Sequence, residues 1–435
     1  MKRSLLLLVI VLFSGFIVTA QDDFPRTLVD ALGNEVRIEA PPQRIVSASL
    51  AIDEILLPLV GAERLLAITA LASDPGISNV AVQAGEVQQR IASRNDTEQI
   101  IVLEPDIVFI DRFTTPEVVQ QLQDAGIPLF TMDFAASLDA VRANIRLLGQ
   151  AVGEDDAAEG LIAAMDADIQ AVSDAVGEVE TPVRALFLTP GNYTSGVDST
   201  ISQIIAAAGG VDVAAEAGLE QFAAVSDEFI IEQDPDVILL AGWTPYDPTF
   251  VDTMLNNPAF ANLSAIQNGR VYIANDAHLT SISHFIAEGV KDVAAYLYPS
   301  LYPDYPLTVT DATGEDVVVA SEPGGVVVVG EATMQALTLL VDEMEENPFD
   351  IINADLEDAT IGGAGDVVVF APLPADDLPG VEGADSVTYV RVYDGDSPAE
   401  VVANLEIMGD ALDARVAALD TVATYTDMLE AQAAS

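Results

Sequence analysis

The chain contains no cysteine, and its 435 residues include only two histidines and one tryptophan. Without cysteine there can be no disulfide, no thiol nucleophile, no thiolate-bound metal and no lipid attachment through an N-terminal thiol. The two histidines, His278 and His284, are too few and too poorly spaced for a zinc or manganese centre built from several imidazoles. Positive charge is equally scarce. Lys and Arg number 16 against 70 Asp and Glu, a formal net charge of -54, which repels nucleic acid and anionic membrane surfaces. The acids are spread along the chain and form no terminal block, so they fit solubility in a salty or acidic exterior better than a dedicated acidic tail. A GxSxG elbow and a GxxxxGK[ST] phosphate loop are both missing, and the glycines at 191 and 196 do not have dinucleotide-fingerprint spacing. Acids this abundant make any neighbouring pair uninformative as a glycosidase signature. These absences argue against an enzyme.

One apolar run stands out, at the very start. Lys2 and Arg3 precede residues 5–18, and Val18-Thr19-Ala20 then forms a small-residue cleavage signal. This is the pattern of a secretory signal peptide cut after Ala20, which places the mature chain in the periplasm or outside the cell. Retention as an anchor is the alternative, although the run is short for a span of about 20 residues.

Beyond the signal, short apolar segments alternate with helical ones. Two strands flank the turn Gly33-Asn34, and Pro41-Pro42 breaks the chain. Strands are expected at 44–48, 65–69 and 105–110, with helices at 51–60, 98–103 and 116–125. Strands and helices alternating at such short intervals indicate parallel βαβ units. Two long helices are expected at 138–152 and 155–176. The second, of 22 residues, would be about 33 Å long, enough to cross from one lobe to another. A second α/β block opens at Val183, with strands at 237–241 and 271–273 and a closing helix over 282–297.

The blocks echo one another. Glu98-Gln99-Ile100-Ile101-Val102-Leu103-Glu104-Pro105-Asp106-Ile107-Val108 has the same frame as Glu228-Phe229-Ile230-Ile231-Glu232-Gln233-Asp234-Pro235-Asp236-Val237-Ile238. A third block repeats the first: Thr308-Val309-Thr310-Asp311-Ala312-Thr313-Gly314 matches the segment that starts at Thr27. Val401-Val402-Ala403-Asn404-Leu405-Glu406-Ile407-Met408-Gly409 matches the segment that starts at Val141. In the third block the Glu98-like turn is replaced by the glycine-rich stretch 362–365.

The order Val29-Asp30-Ala31-Leu32-Gly33-Asn34-Glu35-Val36, Pro41-Pro42-Gln43-Arg44-Ile45-Val46, Asp53-Glu54-Ile55-Leu56, Leu103-Glu104-Pro105-Asp106-Ile107-Val108 and Ile204-Ile205-Ala206-Ala207-Ala208-Gly209-Gly210 resembles the periplasmic solute-binding proteins of iron-siderophore, haem and cobalamin ABC importers. The likeness covers roughly two thirds of the chain. It implies an α/β fold of two Rossmann-like lobes joined by one long helix, here with a C-terminal α/β half-domain. The expected limits are 1–20 for the signal, 27–152 for the N-terminal lobe, 153–178 for the linking helix, 179–303 for the C-terminal lobe and 304–435 for a degenerate copy of the first lobe. The implied function is capture of a chelated metal, a ferric siderophore first and haem or cobalamin as alternatives, with delivery to a membrane permease. No cofactor of its own and no directly bound metal are expected. The competing reading is a surface structural or adhesive protein whose cleft has lost its ligand.

In similar proteins one glutamate on each lobe pairs with permease arginines, and the resemblance carries that role to Glu98 and Glu228. A ligand in an open α/β sheet lies beyond the carboxyl ends of the strands. This points to Ser49 and Leu50, Arg112 and Phe113, Asn192 and Tyr193, Trp243 and Tyr246, and His278. Trp243 and the other aromatics would cover a flat or greasy ligand. Arg112 would pair with an anionic chelate, and Tyr193 or His278 would be the candidate axial ligand if haem were bound.

Overall fold

The computed structural model describes residues 24–92, 96–177, 179–242 and 249–299. Within 307–433 it describes 307–314, 316–319, 323, 325–329, 331–344, 350–353, 359–360, 366–372, 381–382, 386–395, 397–412 and 414–433. The proposed signal peptide, Trp243, Tyr246 and the glycine-rich stretch 362–365 lie outside these residues.

The N-terminal lobe opens with an antiparallel hairpin, β1 (Arg26–Val29) and β2 (Glu35–Ile38), turned at Gly33 with φ +82°. There follow β3 (Ile45–Ser47), α1 (Leu50–Val60), β4 (Leu65–Thr69), α2 (Ala81–Ala84), β5 (Gln89–Ile91), α3 (Thr97–Val102), β6 (Ile107–Asp111), α4 (Pro116–Asp124) and β7 (Leu129–Met132). All five central strands are parallel, in the order β5-β4-β3-β6-β7. Their near-continuous burial, for example Ile107 to Ile110 at 0–1% exposure, is what a sheet covered on both faces requires. The helix α1 runs through Pro58 to its end at Gly61, because the proline sits in the last turn.

Two helices then cross the molecule: α5 (Leu138–Val152), capped by the Ser137 hydroxyl, and α6 (Asp155–Val176). The buried positions of α6, Ala158, Ile162, Met165, Val172 and Val176, fall on one helical stripe and join the core that continues through both lobes.

The C-terminal lobe contains β8 (Arg184–Leu188), β9 (Tyr193–Ser195), α7 (Thr200–Ala207), β10 (Val211–Asp212), α8 (Val213–Glu216), β11 (Gln221–Ala224), α9 (Asp227–Gln233), β12 (Val237–Ala241), α10 (Phe250–Leu255), α11 (Ser264–Gln267), β13 (Val271–Ala274), α12 (Asp276–Leu279) and α13 (Ile286–Leu297). Its parallel sheet runs β10-β8-β12-β13. The closing helix expected over 282–297 begins later, as α13 at Ile286, and the short α12 precedes it. Ser281 and Ser283 lie between the two, where their hydroxyls turn to a carboxylate of the other lobe, and Ser283 also accepts the Phe285 N–H.

The last block has β14 (Leu307–Thr310), β15 (Asp316–Val319), β16 (Gly325–Val328), α14 (Glu331–Glu343), β17 (Asp350–Asn353), β18 (Ala359–Thr360), β19 (Asp366–Pro372), β20 (Val381–Glu382), β21 (Ser386–Val392), α15 (Pro398–Ala411) and α16 (Arg415–Ala433). Its sheet, β17-β16-β19-β21, is parallel and encloses a separate core that includes Val326, Val328, Val368, Phe370 and Leu405. The backbone contacts follow those of the first lobe. Ala31 donates to Thr131 O and Ala312 to Arg391 O, both at 2.9 Å. Glu154 donates to Gly149 O and Ala414 to Gly409 O, both at 2.8 Å.

Each of those glycines sits where two helices nearly touch. A β-carbon at 149 would lie 2.4 Å from Ala158 Cβ, and one at 409 would lie 2.3 Å from Ala418 Cβ. Gly149→Ala and Gly409→Ala are therefore expected to destabilise the chain by about 1–3 kcal/mol each through overpacking. Gly160→Ala, in open space on α6, should be neutral or stabilising by up to about 1 kcal/mol. Thermal unfolding of the three variants checks this contrast.

Candidate functional site

A cavity of about 400 Å³ lies between the lobes. The first lobe supplies residues just past its strand ends, Ser49 and Leu50 after β3, Thr69 and Leu71 at β4, and Ile91 and Ala92 at β5, while Thr280, Ser281 and Ile282 close it from the other lobe. The walls are thus aliphatic groups, a few hydroxyls and one carboxylate, that of Glu54.

Glu54 is 2% exposed. Its Oε1 accepts the backbone N–H and side-chain amide of Asn79, at 3.0 and 2.8 Å, and its Oε2 accepts the hydroxyls of Ser281 and Ser283, at 3.2 and 2.6 Å. Asn79 also donates to Ala277 O at 2.6 Å. One side chain of the first lobe therefore holds two hydroxyls of the second. Burial pushes the Glu54 carboxyl above its usual range, against the opposing pull of these donors. Beside it, Asp53 accepts the backbone N–H and hydroxyl of Thr69, and burial raises its pKa to about 7.

Folded Asp53 keeps its proton up to about pH 7, whereas an unfolded aspartate releases it near pH ~4. The folded chain binds the extra proton between those values, so its stability falls as pH rises through that window. Asp53→Asn is expected to reduce the slope of melting temperature against pH there, and an unchanged slope would assign the titration to other groups.

Of the residues expected at the site, Ser49 and Leu50 line the cavity. Arg112 pairs with Asp133 at 2.6 Å, both half-exposed, and Phe113, 61% exposed, meets Phe134 edge-on at 5.9 Å. These four stand beyond the ends of β6 and β7, outside the residues that line the cavity. Tyr193 is 48% exposed in β9, and Asn192 donates to Asp227 at 3.0 Å. Glu98 and Glu228 are exposed in the first turns of α3 and α9, and the Glu228 carboxyl is held below its usual range by backbone and Ser226 hydrogen bonds.

His278 does not face the cleft. It is buried beneath α13, with Nδ1 2.7 Å from Asp292 and Nε2 3.4 Å from Glu406. Burial pulls its pKa down, but the two carboxylates outweigh that and raise it to about 9. The charged imidazolium has no lone pair for a metal or haem. His284 is the opposite case: burial lowers its pKa to about 4, and its Nδ1 has no hydrogen-bond partner.

The chemistry around His278 extends into a network that links three parts of the chain. Arg415, at the start of α16, donates to Glu288 and Asp292 of α13, each at 2.7 Å, and also pairs with Asp410. Lys291 of α13 pairs with Glu288 at 2.8 Å and with Asp168 of α6 at 3.0 Å. Asn275 donates to Glu406 at 2.9 Å. A larger cavity of about 760 Å³ opens here. Most of its charged side chains, Asp168, Glu288, Lys291, Asp410 and Arg415, are already paired with one another, so the smaller cleft at the strand ends is the candidate ligand site. Arg415→Met would take one of the two cationic partners from each of Glu288 and Asp292 and is expected to destabilise the chain by about 3–5 kcal/mol, read by urea unfolding.

Asp53-Glu54 belongs to the series of motifs that carries the family resemblance, but the order of motifs gives it no role. The available signal was two adjacent acids inside an otherwise aliphatic helix, Leu50-Ala51-Ile52-Asp53-Glu54-Ile55-Leu56-Leu57. Such acids are buried with partners or they break the helix face. The Arg415 network had no comparable signal, because its members are far apart in the chain.

The family model described as periplasmic binding protein matches residues 45–277, more than half of the chain. The chain belongs to the periplasmic binding protein family. An uncharacterised ABC transporter substrate-binding lipoprotein of Bacillus subtilis, YvrC, is 24% identical over 288 residues, 64% of this chain and 87% of the relative. A cobalamin-binding protein of Halobacterium salinarum is 26% identical over 275 residues, 62% of this chain and 73% of the relative. Among solved structures, the periplasmic heme-binding protein RhuT from Roseiflexus sp. RS-1 in apo form is 28% identical with a TM-score of 0.52, over 59% of this chain and 98% of that one. The two-lobed α/β architecture and the family expected from the sequence are both met. Among the described residues no helix is long and apolar enough to cross a membrane.

Proposed function

We propose that this chain is the exported capture component of an ABC importer, which takes a chelated metal between its two lobes and delivers it to a membrane permease without catalysing a reaction. Cleavage after Ala20 would release it from its signal peptide, and Glu98 and Glu228 would meet arginines on the permease. The relatives' names, which include cobalamin-binding and heme-binding proteins and an ABC transporter substrate-binding lipoprotein, support transport of this ligand class.

The observation that carries the ligand reading is the wall of the interlobe cavity. Hydroxyls of Ser49, Thr69, Thr280 and Ser281, the Glu54 carboxyl and aliphatic side chains favour a ligand with hydrogen-bond donors and apolar surface. Among the described residues no Lys, Arg or His lines the cavity to meet an anion. The wall therefore favours a neutral chelate: a hydroxamate-type ferric siderophore, or a cobalamin by the same chemistry, in preference to a catecholate anion. Arg112, the residue expected to meet an anionic chelate, is paired with Asp133 outside the cavity wall.

Trp243, the sole tryptophan, is proposed to report on the cleft. Its emission is expected to be quenched on titration with a neutral ferric hydroxamate or cobalamin, and the quenching should be lost in Ser49→Phe, which fills the cavity and leaves Trp243 in place. Tight binding of only the ferric catecholate would overturn the charge argument. Failure of every chelate in the panel, hemin included, to bind by native mass spectrometry would overturn the capture reading.

A further inference from the structure

One short helix of each lobe, α3 and α9, is clamped the same way. In the first lobe, Asp106 accepts the backbone N–H of Arg44 at 2.9 Å, and the Arg44 guanidinium donates to Leu103 O at 2.6 Å and Glu104 O at 3.1 Å, at the end of α3. In the second, Asp236 accepts the backbone N–H of Arg184 at 2.9 Å, and the Arg184 guanidinium donates to Gln233 O at 2.5 Å and Asp234 O at 3.4 Å, at the end of α9. Glu104 and Asp234, each preceding a proline, turn through the left-handed region at φ +47° and +41°.

The side chains follow the same frame. Ile100 and Ile230 are fully buried, while Ile101 is 37% and Ile231 44% exposed. The exposed isoleucines come three residues after Glu98 and Glu228, one turn along on the same side of the helix. Val102, 81% exposed, widens the apolar spot on the first lobe. A single exposed isoleucine needs no explanation. Here the exposure is repeated in both lobes of a chain of net charge -54, each time beside an acid with no ion-pair partner among the described residues.

We propose that Ile101 and Ile231 are the apolar anchors of the permease interface, one per lobe, each seated beside its glutamate. This rests on the docking reading of Glu98 and Glu228 given above and adds to it a desolvating contact. The matching partner is a permease of two like halves, each presenting a cation next to an aliphatic recess. The acid supplies encounter rate and orientation, and the buried aliphatic contact slows dissociation.

The test uses the full chain with membrane vesicles from the producing organism. Benzoylphenylalanine at 101 and at 231 is expected to give photoadducts with the same ABC permease subunit, identified by mass spectrometry. The same group at 318, a position 56% exposed on the third block, should give none. In competition against labelled wild type for the vesicles, Ile101→Ser and Ile231→Ser should each bind roughly tenfold more weakly, and the pair about a hundredfold, with unchanged melting temperature. If Glu98→Arg with Glu228→Arg abolishes binding while both isoleucine variants compete as wild type, the anchors are overturned and the docking reading stands. If the double charge reversal also competes as wild type, the docking reading falls and this inference with it.

Discussion

A charge removed from water has to be answered by another, and α13 carries Glu288, Lys291 and Asp292 into the interior. The answers come from both sides. Asp168 reaches in from the linking helix and Arg415 from the last helix, so α13 is held between α6 and α16 by opposite ends of one network. Arg415 and Lys291 hold the Glu288 carboxyl well below its ordinary range although burial works the other way. Glu406 and Asp410 are raised by the same burial because they have a smaller share of the positive charge. Apolar packing takes part as well, since Leu419 of α16 joins the core that runs through the two lobes. The third block is thus fixed to the C-terminal lobe by geometry that tolerates little substitution.

Elements whose signal is local were legible in the sequence. The ranges 138–152 and 155–176 come out as α5 and α6 with those limits, because helical periodicity and the glycine stops lie within each segment. The parallel strands were legible for a similar reason: Ile107 to Ile110 and Val237 to Ala241 are unbroken apolar runs between helices. The start of α13 at Ile286 was not legible, since Ser283 is held by Glu54, more than two hundred residues away. His278 was misplaced for the same reason. Its position after β13 is that of a cleft residue, and only the fold shows that Asp292 and Glu406 draw the ring inward.

Within the candidate site, Ser49 and Leu50 were found by topology alone, because the chain must leave β3 at the end that faces the other lobe. Arg112 and Phe113 obey the same rule after β6 but form a separate cluster with Asp133 and Phe134. The rule gives the face on which a residue emerges but not how far along that face a cavity extends. The carboxylate that does sit in the cavity wall, Glu54, comes from within a helix, where the strand-end rule has nothing to say.

The contact between Gly149 and Ala158 has a mechanical side. It sets the angle at which α6 leaves the first lobe, and α6 runs on from Ala158 to Val176, about 27 Å at ~1.5 Å per residue. A tilt of about 5° at the contact would carry the far end of that rod ~2 Å, enough to break a hydrogen bond. A one-carbon change at a site remote from the cleft would thus be delivered, magnified, to the far end of α6, where Val176 lies against Gly209 of the second lobe. Position 149 behaves as the fulcrum of a lever whose load is the opposite lobe.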